Sequence, residues 1–214
     1  MRAWSFWMPD LLPHLPECPI PVIERALLRA AQDFMSTSRV WKIVLMPIAV
    51  PIGTTTITVP MDNDKDLIRV EEAWLDGKKL NLVTPDELDG DYNDDWSLHT
   101  GTPIDLVQFV PGIVALHPKP LATASTGLKL KVSSRPSESA VGITDEIAAK
   151  YRNALECGAL AKLMMMPNKP WTNLELSAFH MQNFNAITAT ATADAIALLA
   201  LAGVDNLSIG VFTE

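Results

Sequence analysis

Gly158-Ala159-Leu160-Ala161-Lys162-Leu163-Met164-Met165-Met166-Pro167-Asn168-Lys169-Pro170-Trp171 is the stretch that decides the fold. It reads as the end of one helix and the proline-braced turn into another. Upstream, Thr144 suits an N-cap, with Asp145 and Glu146 favourable in the first turn. Ile147, Tyr151, Ala154/Leu155, Gly158 and Lys162 then trace one line along a helix, flanked by small residues. A glycine inside a helix costs about 1 kcal/mol relative to alanine, so Gly158 implies close approach of another helix. Pro167 and Pro170 end this helix. Thr172-Asn173-Leu174-Glu175 has the spacing of a capping box, which predicts a second helix running to Gly203, roughly 30 residues and ~45 Å long. The Ala-Thr alternation from Ala186 to Ala195 also fits a strand, but alanine and the helical flanks favour the helix.

At the N-terminus, residues 1–20 carry Pro9, Pro13, Pro16 and Pro19, which predicts an extended N-terminal arm. Pro21 suits the first turn of a helix over 21–39. There Val22/Ile23, Ala26/Leu27, Ala30/Ala31 and Phe34/Met35 recur every four residues, opposite Glu24, Arg25, Arg29 and Asp33. Between the helices, residues 40–142 have a β texture. Val40–Ala49, Thr55–Val59 and Leu67–Leu75 are strand candidates. Asp76-Gly77 predicts a hairpin into Lys79–Val83. Thr84-Pro85-Asp86-Glu87 is a second capping box, with a helical turn after it. Ile104–Val110 and Ile113–Leu116 flank Pro111-Gly112 as another hairpin. Leu128–Val132 alternates apolar residues with lysine, as a water-facing edge strand would. The expected class is α+β: a helical bundle from 21–39 and 143–203, an inserted antiparallel sheet or sandwich over 40–142, and extended arms at both ends, the second over 204–214.

Composition bounds the function. The chain has 214 residues, 48% hydrophobic and 20% charged, which suits a folded protein with a real core. Its net charge of −8 makes it a poor candidate for gripping nucleic acid, because that affinity comes from Lys and Arg neutralising phosphates. The two cysteines, Cys18 and Cys157, lie far apart and read as small buried hydrophobes. The apolar run Ala3–Met8 ends at Pro9 too early for a secretory signal, and Ile196–Ala202 is too short for a membrane span. The expectation is a soluble chain from a reducing compartment, with no membrane partner.

No constellation points to catalysis, a cofactor or a metal. Asp89-Gly90-Asp91-Tyr92-Asn93-Asp94-Asp95 opens like a calcium loop, but that loop needs glycine where Asp94 sits and glutamate where Thr100 sits. A solvated acidic loop is the better reading. His14, His99, His117 and His180 share no metal-ligand spacing. No nucleophile elbow, P-loop or dinucleotide fingerprint occurs. Met164-Met165-Met166 fits gap-filling at a helix end better than an adaptable binding surface. At the termini, Trp4, Phe6 and Trp7 gather aromatic surface, and Leu207-Ser208-Ile209-Gly210-Val211-Phe212 alternates like a strand. Both segments fit either folding back onto the chain or docking on a neighbour.

Three sets of residues in order resemble the head–tail adaptor (connector, head-completion) proteins of tailed double-stranded-DNA bacteriophages. The first is Asp10-Leu11-Leu12-Pro13 through Cys18-Pro19-Ile20-Pro21, Ala26-Leu27 and Ala30-Ala31-Gln32-Asp33-Phe34 to Ser38-Arg39-Val40-Trp41. The second is Gly101-Thr102-Pro103 followed by Val114-Ala115-Leu116-His117-Pro118-Lys119-Pro120. The third is Tyr151, Gly158-Ala159-Leu160-Ala161-Lys162-Leu163, Pro167, Pro170-Trp171 and Phe184. Together they cover roughly residues 10–190.

The resemblance implies a non-enzymatic virion protein of the neck, assembled in the host cytoplasm. Such subunits form a ring, commonly of twelve copies, between the portal protein and the tail or nozzle protein. Genomic double-stranded DNA passes through the lumen without specific binding, which an acidic wall suits. By position, Gly203–Glu214 becomes a portal-docking tail, with Leu207, Ile209, Val211 and Phe212 as its apolar contacts. Tyr151, Gly158, Ala159, Leu163 and Trp171 become the packing surface between subunits. The competing reading is a non-viral β-sandwich module that binds a peptide or glycan through Trp41, Trp74, Tyr92, Trp96 and Phe109.

Overall fold

A computed structural model describes residues 1–92 and 96–204 of the chain. The fold is mixed α+β. It divides into two compact units: a helical one from residues 1–40 and the chain from 136 onward, and a β unit, Trp41–Arg135.

The N-terminal segment is not an extended arm. After the short strand β1 (Arg2–Ala3), Trp4–Trp7 form a 3₁₀ turn, Met8–Leu11 the short helix α1, and Leu12–His14 another 3₁₀ turn. Prolines at the first turns of these pieces do not oppose them, because a missing N–H there breaks no helical bond. Trp4, Trp7, Met8, Leu11, Leu15 and Cys18 are all buried. Of the two options open for the terminal aromatics, this segment folds back. The helix α2 (Ile20–Ser38) follows, with Pro21 in its first turn, and ends at Arg39 in the left-handed conformation, φ 52°.

The β unit contains two four-stranded sheets. The strands, in chain order, are β2 (Lys42–Val44), β3 (Thr56–Thr58), β4 (Lys65–Leu75), β5 (Lys78–Lys79), β6 (Asn81–Val83), β7 (Thr100–Gly101), β8 (Asp105–Val110), β9 (Ile113–His117), β10 (Lys119–Pro120) and β11 (Leu128–Pro136), with helix α3 (Pro85–Tyr92) after β6. One sheet has the order β2-β11-β4-β5, the other β3-β9-β8-β6. Asp76 and Gly77 both take positive φ, 49° and 80°, and close the β4–β5 hairpin with Leu75 opposite Lys78. Leu67, Val70, Leu75, Leu106, Leu116, Leu128, Leu130 and Val132 lie in one core to which both sheets contribute.

Along β8 the adjacent residues Leu106 and Val107 are both buried, because the strand is covered on both faces. Leu106 enters the main core, while Val107 joins Ala115, Leu88 and Trp96 in a second cluster that includes α3. The capping box before α3 is reciprocal: the Thr84 N–H donates to Glu87 (2.7 Å) and the Glu87 N–H to the Thr84 hydroxyl (3.3 Å). The acidic run expected as a loop continues α3 through Tyr92, and Asp89 accepts the Trp96 indole N–H at 2.7 Å. β11 is an interior strand, not an edge. Its lysines alternate outward on one face, where Lys131 pairs with Glu72 at 2.7 Å and Lys129 lies over the Trp74 ring. Alternation reports a solvated face, and any strand in a sheet can have one.

Back in the helical unit, β12 (Gly142–Ile143) pairs antiparallel with β1. Gly142 is required there, since a Cβ would lie 2.0 Å from the Arg2 carbonyl oxygen. The first C-terminal helix is not continuous: α4 (Asp145–Lys150) breaks at Tyr151, φ −114° and ψ 24°, before α5 (Arg152–Met164). Thr144 stands at the N-cap in extended conformation without a side-chain cap bond. The last helix, α6, runs Leu174–Val204, 31 residues, including the Ala-Thr stretch. Its cap is Asn173, whose side-chain oxygen accepts the Leu176 N–H at 3.0 Å. Thr172, one residue earlier, instead binds the turn through the Lys169 N–H.

Candidate assembly surface

The helical unit centres on α5, which packs against both α2 and α6, and these two also touch each other. Gly158 is a point where all three come close. A Cβ there would lie 2.8 Å from the Phe184 ring and 2.9 Å from Ala30 Cβ. Phe34 sits 5.0 Å from Tyr151 and 6.3 Å from Phe184, centroid to centroid. The Ser177 hydroxyl donates to the Ala161 carbonyl at 2.7 Å, across the two helices. Thr188, Thr190 and Thr192 each donate back to the carbonyl four residues earlier, so these hydroxyls are satisfied inside the helix.

The N-terminal segment is locked to this core. Trp4 donates its indole N–H to the Ala140 carbonyl (2.8 Å) and Trp7 donates to that of Arg152 (3.2 Å). Arg152 pairs with Asp10 and lies over the Phe6 ring at 4.6 Å. Nearby, Glu156 is raised above the usual carboxylate range by burial and then by the charge of Asp10. His180 on α6 is lowered by burial and then by His14, and its Nδ1 has no hydrogen-bond partner among the described residues.

Most of the residues expected to pack between subunits lie inside the chain's own helical unit. Gly158, Ala159 and Leu163 are buried within the chain, where they join its own helices. Trp171 is buried at the α5–α6 turn, and Tyr151 is half-buried against Phe34. Small residues on a helix mark close packing, and here the close packing is internal. Leu207, Ile209, Val211 and Phe212 lie outside the described residues.

The outward side of α6, the long alanine-rich arm of the helical hairpin, is a further exposed surface. Between Leu174 and Val204 only Glu175 and Asp194 are charged. Ser177, Phe184, Thr188, Ala191 and Ala195 face inward. Phe179, Gln182, Ala186, Ala189, Ala193 and Ile196 are all exposed, at alternating spacings of three and four. That spacing places them on one seam of a helix, as in the contact line of a coiled coil. Phe179 is 56% and Ile196 53% exposed at its two ends, with alanines between that permit close backbone approach. The signal in the sequence was the scarcity of charge along 31 residues.

A second feature is formed by α2 and α5. A cleft of about 560 Å³ opens between the first half of α2 and the end of α5. Val22, Ala26, Met165 and Met166 supply apolar lining, and Arg25, Arg29 and Lys162 the polar part. Lys162 pairs with Asp33 (2.6 Å) and Arg25 with Glu138 (3.3 Å). Arg29 has no ion-pair partner among the described residues.

Among the described residues, no group of three or more His, Cys, Asp or Glu could hold a metal ion, and no helix is long and apolar enough to cross a membrane. Cys18 and Cys157 are free and buried. His117 is buried beside Asp105, with Nδ1 3.2 Å from its carboxylate, and its ring meets the edge of Trp96. No protein-family model matches this chain, and no curated protein matches it in sequence.

Proposed function

We propose that this protein is a structural subunit of the neck of a tailed bacteriophage, a head–tail adaptor that forms a ring with copies of itself. The observation that supports this most is the exposed three-four seam on α6. A helix line that is apolar from Phe179 to Ile196 except for Gln182, and built mostly of exposed alanine, is fitted for another helix. The partners in this reading are further copies, the portal protein on one side and the tail or nozzle protein on the other. Genomic DNA passes along an acidic wall that does not trap its phosphates. A lateral contact of this heterologous kind closes into a ring when the rotation between subunits suits it.

Sedimentation of the purified protein, alone and with the portal protein, tests the reading. The expected result is a closed oligomer in at least one of the two conditions, reduced to monomer by Ala186→Glu on the seam. A strict monomer that never joins portal rings would overturn it. The reading as a peptide- or glycan-binding sandwich has less support, because Trp41 and Trp96 lie in the core of the β unit.

A further inference from the structure

We propose that the α2–α5 cleft is the receptor for the C-terminal segment, residues 205–212, of a second copy of this chain. The cleft has the chemistry for it. Val22, Ala26, Met165 and Met166 offer an apolar floor, and Met165, 55% exposed, is costly to leave in water. The cations Arg25, Arg29 and Lys162 line it without an acidic lining residue, and Arg29 keeps its charge free of any ion pair among the described residues. The segment Asp205-Asn206-Leu207-Ser208-Ile209-Gly210-Val211-Phe212 is complementary: one acid, no base, and four large apolar residues. Its apolar residues Leu207, Ile209 and Val211 alternate with Ser208 and Gly210, the period that matches an apolar floor, and Asp205 carries the charge opposite to that of Arg29.

Length decides whose segment it is. Met165 and Met166 stand at the start of α6, since the Met164 carbonyl accepts the Asn173 N–H at 2.9 Å. The helix then carries the chain away from the cleft for 31 residues, about 45 Å at 1.5 Å per residue. From Val204 to Phe212 an extended chain covers at most ~28 Å. The segment of the same copy therefore stops short, and a neighbouring copy supplies the occupant. Leu207–Phe212 thus gains a receptor on the next subunit, in place of the portal surface that the family resemblance implies. The inference stands on cleft and reach, and does not need the phage reading.

The test is cross-linking in the full-length chain with Met165→Cys and Ile209→Cys, under mild oxidant. The native cysteines are buried and do not compete. The expected result is a ladder of dimers and larger species on a non-reducing gel. Adding Arg29→Glu should lower its yield about tenfold, which is ~1.4 kcal/mol of contact. Loss of both thiols without a ladder would mean that the segment reaches its own cleft, and would overturn the inference. So would free thiols with no cross-link. If either occurs while the unmodified chain still sediments as an oligomer, the adaptor reading survives and only the tail exchange falls.

Discussion

Helices α2 and α6 both pack on α5, yet their outer faces differ completely. α2 buries Ile23, Leu27, Ala30, Phe34 and Met35, and turns Glu24, Arg25, Arg29 and Asp33 outward. α6 buries Ser177, Phe184, Thr188 and Ala191, and turns Phe179, Ala186, Ala189 and Ile196 outward. Both satisfy their own backbone and share one core. α2 presents charged side chains outward, and α6 presents an alanine-rich line bounded by Phe179 and Ile196. The difference shows that burial of one face sets the fold, while the opposite face sets how the fold is used.

The largest loss is expected on the buried side of α6. Phe184→Ala should cost about 3–5 kcal/mol, because the ring is 7% exposed and fills the space above Gly158. Phe179→Ala, only five residues earlier, should stay within about 0.5 kcal/mol in urea unfolding under conditions where the chain is monomeric. Equal losses at the two positions would abolish the distinction between faces.

A smaller effect is expected at the junction of all three helices. Gly158→Ala adds a Cβ that must displace the Phe184 ring and crowd Ala30. Overpacking costs about 1–3 kcal/mol, and the better helix propensity returns about 1, so the net loss is about 1–2 kcal/mol. Combining it with Ala30→Gly should give a loss smaller than the sum of the two single losses, as a double-mutant cycle in urea would measure. Strict additivity would show that Ala30 of α2 does not meet the Cβ added at position 158 of α5.

The smallest effect is a pH dependence confined to α6. His180 is held below the ordinary histidine value by burial and by His14. Above that ordinary value both folded and unfolded chains are neutral at this site, so it contributes nothing. As pH falls through the ordinary range, the unfolded chain takes the proton first, and stability is lost until the lowered folded value is passed. The urea midpoint should drop between pH 7.5 and 5.5 (values near the ordinary histidine range), and His180→Gln should flatten part of that slope. A wild-type slope retained in full by the variant would place the titration elsewhere.

Much of the frame was legible because it rests on local chemistry. Asp76-Gly77 adopts the two positive φ angles that such a pair tolerates, and Pro167 and Pro170 follow the last turn of α5. The α6 helix runs to within a residue of its expected end at Gly203. Features that depend on distant partners were not legible. The proline-rich N-terminus is coiled and buried because Trp4 and Trp7 find carbonyls at Ala140 and Arg152, more than 130 residues away. The interior position of β11 depends on which strands flank it, and lysine alternation carries no such information. Gly158 and Ala159 looked like contacts between subunits because small residues announce close packing without naming the partner.

By itself, the sequence determined the long helices α2 and α6, the Asp76-Gly77 hairpin turn, the end of α5 and the acidic balance, since each follows from short-range sterics, hydrogen bonding or composition. Only the tertiary structure decided which apolar face is satisfied. It closed α2 and the N-terminal aromatics into a core around α5, and left the seam of α6 and the Arg29 cleft open. Periodicity gives a helix its faces, but the neighbours brought together by long-range packing determine which of them remain exposed.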